Sequence, residues 1–358
     1  LPLRARRPVG YQSKFLSNYI PNKTSYLSKS EIEKLRILGQ VEQQMRPAGT
    51  YARNILDRLL IDLSWNSSRL EGNTYSLLET KRLIELGYSV KGKNNSESQM
   101  ILNHKGAIEY ILEIAAEDQV TNHHIRSIHG ILSENLLGDP SASGRLRKIS
   151  VRVAGTTYMP LDNPFSLQEC FDVFISKLNQ IKDPFEQSLF SLVHLSYLLA
   201  FEDVNKRTSR IVANISLIKK NLSPLSFVDI EPEVYVKAIL GVYEKNDTSI
   251  LKDLYLWAYQ RSCEKYSAIQ QNMGEPNTLK LKYRNVIQEI IRSIIIKKIP
   301  GNNVVKTIRK MIQIQKIPET DTEELFKIIE IEVAGLHDGN IARFKIRPSI
   351  FEAWKAIK

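Results

Sequence analysis

The chain is short of cysteine, of histidine and of long apolar runs, and each shortage narrows what it can be. Only Cys170 and Cys263 occur among 358 residues, so no disulfide framework is indicated and a reducing, cytoplasmic setting is expected. Three of the six histidines, His123, His124 and His129, fall close together. Adjacent histidines diverge on a helix, no cysteine is near, and no second pair stands at ligand spacing, which argues against zinc. No apolar run approaches the roughly 20 residues of a membrane-spanning helix, so no membrane partner is expected. The first residues turn at once from Leu1-Pro2-Leu3 to Arg4, Arg6 and Arg7, unlike a signal peptide. Acidic residues are outnumbered, 39 against 50 basic ones, which gives a net charge of +11. That excess favours nucleotide, nucleic acid or an acidic protein as partner and says nothing of fold. With 42% hydrophobic and 25% charged residues, the chain has the composition of a globular protein, long enough for two domains or one with an appendage.

What is present is concentrated in Ser191 to Lys220, SLVHLSYLLAFEDVNKRTSRIVANISLIKK. Apolar residues recur at helical spacing before its centre (Leu192, Val193, Leu195, Leu198, Leu199) and after it (Ile211, Val212, Ile215, Leu217, Ile218), which predicts two helices joined by a polar turn. Asp203, Asn205, Lys206, Arg207 and Arg210 crowd the turn and the start of the second helix. Free N–H groups and the positive dipole end of a helix N-terminus attract anions, and Arg207 and Arg210, three apart, lie on nearly one face. A carboxylate amid cations suits a magnesium ion shared with substrate phosphates, so the pattern points to a magnesium-bound nucleotide polyphosphate. The plain alternative is a surface salt-bridge cluster at a helix start.

Phe201-x-Asp203-x-Asn205-Lys206-Arg207-x-x-Arg210 resembles the core of the Fic (Fido) family signature. Upstream, Ser67-Ser68-Arg69-Leu70-Glu71-Gly72 resembles the inhibitory motif of members with an N-terminal inhibitory helix. Ile128-His129-Gly130-Ile131-Leu132, Gly144-Arg145-Leu146-Arg147 and the run from Val151 to Pro160 resemble the helix, loop and β-hairpin flap that hold the target segment. The resemblance covers about residues 50 to 265. It implies transfer of AMP from ATP to a protein hydroxyl, with Asp203 coordinating Mg2+. Phe201, Asn205, Lys206, Arg207 and Arg210 would surround the nucleotide, Asn205 and the turn's amides holding phosphates and the two arginines the β- and γ-phosphate end. Ser67, Glu71 and Gly72 would form the inhibitory element, Glu71 pairing with Arg210 and so occupying the donors of the terminal phosphate. The target, an unknown protein, would lie along the flap, since a hairpin edge can add a peptide strand.

The family's histidine, which takes the proton from the target hydroxyl, is replaced. Aligned on Phe201, its position holds Leu199, and the proline after it is Ala200. His194 is the candidate substitute base, five residues or roughly 7.5 Å of helix axis away; otherwise it is a packed histidine. Val204 and Lys206 stand where glycines are common. Two rivals to AMP transfer follow: a nucleotide-binding pseudoenzyme that acts as a regulator, and a protein kinase like the Doc toxins, which Asn205-Lys206-Arg207 resemble.

The expected architecture is mostly α: a Fic-type helical core with a β-hairpin flap and a C-terminal helical module. Residues 1–50 read as a basic arm, anchored by Tyr11, Phe15 and Tyr19, and a helix from Ser28 capped by Ser30. Residues 51–270 read as the Fic domain, with the inhibitory helix near 55–73, in a helix over 52–69 that Gly72 stops. Helices are expected over 74–86 (capped by Thr74), 99–117, 122–135, 166–180, 184–200, 229–243 and 249–266, the last two turning Tyr235, Leu240, Tyr243, Leu254 and Trp257 inward. Ile149, Val151 and Val153, a turn at Gly155, and Thr156 to Tyr158 predict the hairpin. After a linker over 271–277, residues 277–358 show three helices, a strand at 341–346 and a last helix. With their basic residues they suggest a winged-helix-like module with DNA as candidate partner, or a docking or homodimerisation tail.

Overall fold

The computed structural model describes residues 3–39, 47–90, 92–273, 278–315 and 317–356. The expected linker residues 274–277 and positions 40–46 lie outside them. The chain divides into two compact units, Leu1–Asn272 and Met273–Lys358, and no described helix is long and apolar enough to cross a membrane.

The first unit contains α1 (Ser13–Ser17), α2 (Lys29–Gly39), α3 (Thr50–Asn54), α4 (Leu56–Arg69), α5 (Leu77–Leu86), α6 (Asn95–Glu113) and α7 (Asn122–Ser133). These are followed by α8 (Pro164–Gln180), α9 (Pro184–Leu198), α10 (Asn205–Lys219), α11 (Pro232–Lys245) and α12 (Ser249–Met273). Apolar residues occupy nearly every face of α9 and α10, which marks central helices. They are buried almost throughout and pack along each other, with α4, α6, α7, α8 and α11 around them. Pro184 at the first position and the Asp183 carboxylate, accepting from the N–H groups of Phe185 and Glu186 at 3.0 Å, start α9 cleanly. In contrast α10 starts at Val204 with no side-chain cap. That leaves the helix N-terminus open to another acceptor.

Several expected boundaries move. Ser28 caps α2 in place of Ser30, its hydroxyl accepting from Glu31 N–H. Ser76 caps α5 in place of Thr74, whose N–H is taken by Glu97. The helix expected over 52–69 breaks at Ile55, between α3 and α4. Trp257, expected inside, is 46% exposed, whereas Tyr235, Tyr243 and Leu254 are buried.

The arm lies on the core, as its aromatics predict. Tyr11 stacks on Tyr197 at 5.0 Å, Phe15 packs edge-on to the same ring, and Tyr19 is buried. The buried Glu186 carboxylate accepts from Tyr19 and Ser25 hydroxyls and from the N–H groups of Tyr26 and Leu27, at 2.8–3.0 Å. The arm also replaces the expected hairpin. β1 (Val9–Gly10) pairs in parallel with β2 (Tyr158–Met159), so the carbonyls of Thr157 and Met159 accept from Val9 and Tyr11. Residues 149–153 form no strand: the Arg147 guanidinium takes the carbonyls of Ile149 and Leu161, and Val151 and Val153 turn half-buried against the core. Gly155 does make the expected turn, at φ +78°.

The second unit contains α13 (Thr278–Lys282), α14 (Arg284–Ile296), α15 (Gly301–Ile314), α16 (Glu319–Ala334) and α17 (Pro348–Lys355). Ile287, Ile290, Ile291 and Ile294 recur at i, i+3, i+4 and i+7 and form the core stripe with Ile308, Leu325, Ile329, Phe351 and Trp354. The strand expected at 341–346 is a 3-10 turn, Ile341–Phe344. Ile341 and Phe344, three apart, both bury, a spacing a turn satisfies and an alternating strand does not. No strand, and so no wing, is present among the described residues of this unit.

Candidate functional site

The turn between α9 and α10 is held by contacts from its own residues and from neighbours, chiefly Arg147 and His129. Leu199 ends α9 in the left-handed region, φ +47°, and Val204 stands there again at φ +64°. A β-branched residue in this region carries strain of order 1–3 kcal/mol. The loop is closed by Asn205, whose side chain accepts from Phe201 N–H at 2.9 Å and donates to Phe201 C=O at 2.8 Å. Arg147 clamps the other side: its N–H donates to Ala200 C=O at 3.0 Å and its Nε to Leu199 C=O at 2.7 Å.

His129 holds the floor. Its ring stacks on Phe201, 3.8 Å between centroids and 6° between planes. Gly144 N–H donates to Nδ1 at 3.0 Å, so the proton sits on Nε2 and is donated to Asp203 C=O at 3.2 Å. Burial, foremost, and the Arg207 charge bring its pKa down to about 4, so the imidazole is neutral and both nitrogens are occupied.

Against the start of α10 lies the end of α4. Glu71 sits in the turn after Arg69, which Gly72 closes at φ +87°. Its carboxylate meets Arg210 Nη2 at 2.8 Å and Lys206 Nζ at 2.9 Å. Burial would raise its pKa; Arg210 and Lys206 outweigh that and hold it at about 2. Arg210 is fully buried, 5.1 Å above the Tyr235 ring, and also donates to Ser67 Oγ at 2.9 Å and Ser67 C=O at 3.0 Å. Buried polar atoms here lack a hydrogen-bond partner: Nη1 of Arg207, Nη1 of Arg210, and the hydroxyls of Tyr235 and Tyr243. Such orphans are costly, and several of them gather here beside an uncapped helix start, where free N–H groups and the helix dipole favour negative charge.

Of the residues singled out from sequence, Lys206, Arg207, Arg210, Ser67, Glu71 and Gly72 are brought together at this place. Asp203 sits exposed beside them, its Oδ1 accepting from Val204 N–H at 2.6 Å. Phe201 and Asn205 are in the turn but differently employed: the ring is packed on His129, and the amide closes the loop with its oxygen and one of its two N–H groups. His194 does not join. It is buried among Phe15, Tyr26 and Phe190, hydrogen-bonded to the Tyr26 hydroxyl at 2.6 Å, and burial lowers its pKa to about 3. It is the packed histidine, not a substitute base. Leu199 is itself 3% exposed. Sequence reasoning assigned no role to His104; His129 and Arg147 it placed only in the segments that resemble the target-holding helix and loop, and His129 also as a rejected zinc ligand. Among the described residues no group of three or more His, Cys, Asp or Glu could hold a metal by itself.

Comparison with known proteins bears on the family and the fold. Residues 119–217, from just before α7 through most of α10, match the model of the Fic/DOC family. The protein adenylyltransferase Fic of Aedes aegypti is 29% identical over 213 residues, 54% of this chain and 41% of that protein. The protein of the same name from Nematostella vectensis is 29% identical over 166 residues, 45% of this chain and 38% of that protein. The matches thus span less than half the length of these relatives. The solved structure of Fic-1 from Caenorhabditis elegans superposes with a TM-score of 0.55 over 68% of this chain and 72% of that one, at 19% identity, a likeness of fold. The protein is a Fic-domain protein, with its Fic/DOC-family domain at residues 119–217.

Proposed function

We propose that this chain binds a magnesium nucleoside triphosphate, ATP, at the first turn of α10 and transfers AMP to a protein hydroxyl, with Glu71 restraining it. The observation that carries the reading is the pair of buried, unpartnered guanidinium nitrogens of Arg207 and Arg210 beside a carboxylate that already engages Nη2 of Arg210. Freed of their contacts with α4, Arg210 and Lys206 join Arg207 as donors for phosphate oxygens, where fixed positive charge stabilises phosphoryl-type transfer. Asp203 fits magnesium, because it is exposed and only its Oδ1 is engaged; the ion would supply charge neutralisation between carboxylate and phosphates. The chain's own part is binding and restraint. His129 has both ring nitrogens engaged, His194 is packed among aromatic rings, and Leu199 is apolar, so no histidine at the turn accepts the hydroxyl proton. General base catalysis typically supplies about 10²–10⁴-fold, and the transfer is slower by that order.

The same observation favours a second reading, a nucleotide-binding regulator that transfers nothing. Label transfer from α- and, separately, γ-labelled ATP into a cell lysate, using Glu71→Gly with magnesium and Arg210→Ala as control, separates them. Label from the α position establishes AMP transfer. From γ alone it means a kinase. ATP binding with no transfer from either establishes the regulator, and loss of ATP binding in Glu71→Gly sinks the site assignment altogether. The C-terminal unit is proposed as a partner-docking or DNA-binding tail, tested by a salt-sensitive shift of random duplex DNA.

A further inference from the structure

Arg210 is tied to α4 by more than Glu71. Of its three hydrogen bonds to that segment, two go to Ser67: Nε to Oγ at 2.9 Å and Nη2 to the carbonyl at 3.0 Å. Ser67 in turn stands 2.9 Å from Nε2 of His104, a fully buried residue of α6. The direction of every proton in this chain is fixed by its ends. His104 Nδ1 lies 2.7 Å from Met100 C=O, which can only accept, so Nδ1 carries the hydrogen and Nε2 is bare. Nε2 must therefore accept the Ser67 hydroxyl proton. That aims a lone pair of Ser67 Oγ at the guanidinium, which can only donate. Ser68 Oγ, 3.3 Å from Nδ1, flanks the same ring.

Without this acceptor a helical serine turns its hydroxyl back to the carbonyl four residues before it, and its oxygen leaves the line toward Arg210. Burial, helped by the facing Arg207 and Arg210 charges and opposed by Glu71, keeps His104 neutral, with pKa about 3, so the arrangement persists throughout the ordinary pH range.

We infer that His104 is a positioning residue that, through Ser67, forms a second lock on Arg210, independent of Glu71. Removing Glu71 alone leaves the guanidinium held against α4, and full release to a phosphate requires the Ser67 bond to break as well. The inference rests on the reading of Arg210 as a phosphate-binding group, but the lock itself is observable without any nucleotide.

The test uses the full chain. In proton–nitrogen spectra that resolve arginine side chains, the Arg210 Nε–H signal, assigned by its loss in Arg210→Lys, is expected to persist in Glu71→Gly. It is expected to exchange with water in Glu71→Gly/His104→Leu and in Glu71→Gly/Ser67→Ala, and to return in Glu71→Gly/His104→Gln, where an amide oxygen supplies the acceptor. In calorimetric titrations with MgATP, Glu71→Gly/Ser67→Ala is expected to bind about tenfold tighter than Glu71→Gly. That gain should vanish when Arg210→Ala is added, which a merely structural effect of the substitution would not do. A signal already lost in Glu71→Gly, or one that survives in both double variants, overturns the lock. MgATP affinity indifferent to Arg210→Ala, with the signal behaving as expected, instead overturns the phosphate assignment and the regulatory meaning given to the lock.

Discussion

Lowering the pH from 7 to 5 is expected to remove about 6 kcal/mol of the stability of the first unit, through three histidines. His104, His129 and His194 are each buried and hydrogen-bonded, and burial, the largest cause in every case, lowers their pKa values to about 3, 4 and 3. Nearby cations add to the effect: Arg207 and Arg210 at His104, Arg207 at His129 and Lys177 at His194. In the unfolded chain each titrates near 6.5. A depressed folded value means the unfolded state binds the proton first, so stability is complete above pH 6.5 and is lost as pH falls. Well below 6.5 and above 4, each histidine costs about 1.4 kcal/mol per pH unit, and the three together about 4. At pH 5 the loss reaches about 6 kcal/mol, comparable with the whole stability of many domains, about 5–15 kcal/mol. Glu71 adds nothing in this window, because its own loss begins only as pH falls through 4.5 toward 2. Urea midpoints followed by circular dichroism at pH 7, 6, 5.5 and 5 read the slope directly, and replacing any one histidine by glutamine should lower it by about a third. A slope below about 1.4 kcal/mol per pH unit, the value for a single proton, would refute the reasoning.

Three further outcomes follow from single residues. Asn205→Ala leaves Phe201 N–H and C=O buried without partners and is expected to cost about 2–5 kcal/mol in denaturant unfolding, against near neutrality if the amide served only a ligand. Gly72→Ala places a Cβ at φ +87° with nothing within 4 Å of it, so strain alone acts; thermal melts should register a loss of about 1–2 kcal/mol and no clash. Glu186→Ala strips four donors of the arm of their acceptor, and brief trypsin treatment should then cut within residues 4–23, where the intact protein resists.

The helical core and the assembly of the site were readable from sequence because their signals are local. The helical period of α9 and α10, the cation-rich start of α10, and Gly72 after α4 each state their own conformation. What escaped depends on pairing across the chain. Nothing in Val9-Gly10 says that it will take the edge of Tyr158-Met159 in place of the residues just before Gly155, and the preference was decided by Arg147 drawing two carbonyls out of reach. Asn205 read from sequence only as a phosphate ligand, because an amide at a helix start serves equally to bind an anion and to close a loop; its bonds to Phe201 show the loop closure. His194 and His129 are alike in sequence, each among apolar neighbours, and only the stacking of His129 on Phe201 distinguishes the one that touches the turn.

Leu199 stands where the sequence resemblance leads one to expect a histidine, and placing a base there tests what that difference means. The residue is 3% exposed at φ +47°, its carbonyl held by Arg147 Nε at 2.7 Å. Histidine tolerates the left-handed region better than most residues and is close to leucine in volume, so Leu199→His leaves the backbone where it is. A histidine enclosed there shares the condition of the other three: burial favours its neutral form, which at pH 7 is the form that can accept a proton. In the Glu71→Gly background the substitution is therefore expected to raise AMP transfer from α-labelled ATP, by as much as about 10²–10⁴-fold, with no change in MgATP affinity. Unchanged transfer with unchanged affinity would mean that the turn closed by Asn205 and Arg147 cannot present a base to a target hydroxyl. The domain would then be a nucleotide-binding regulator whose restraint by α4 controls occupancy and not chemistry.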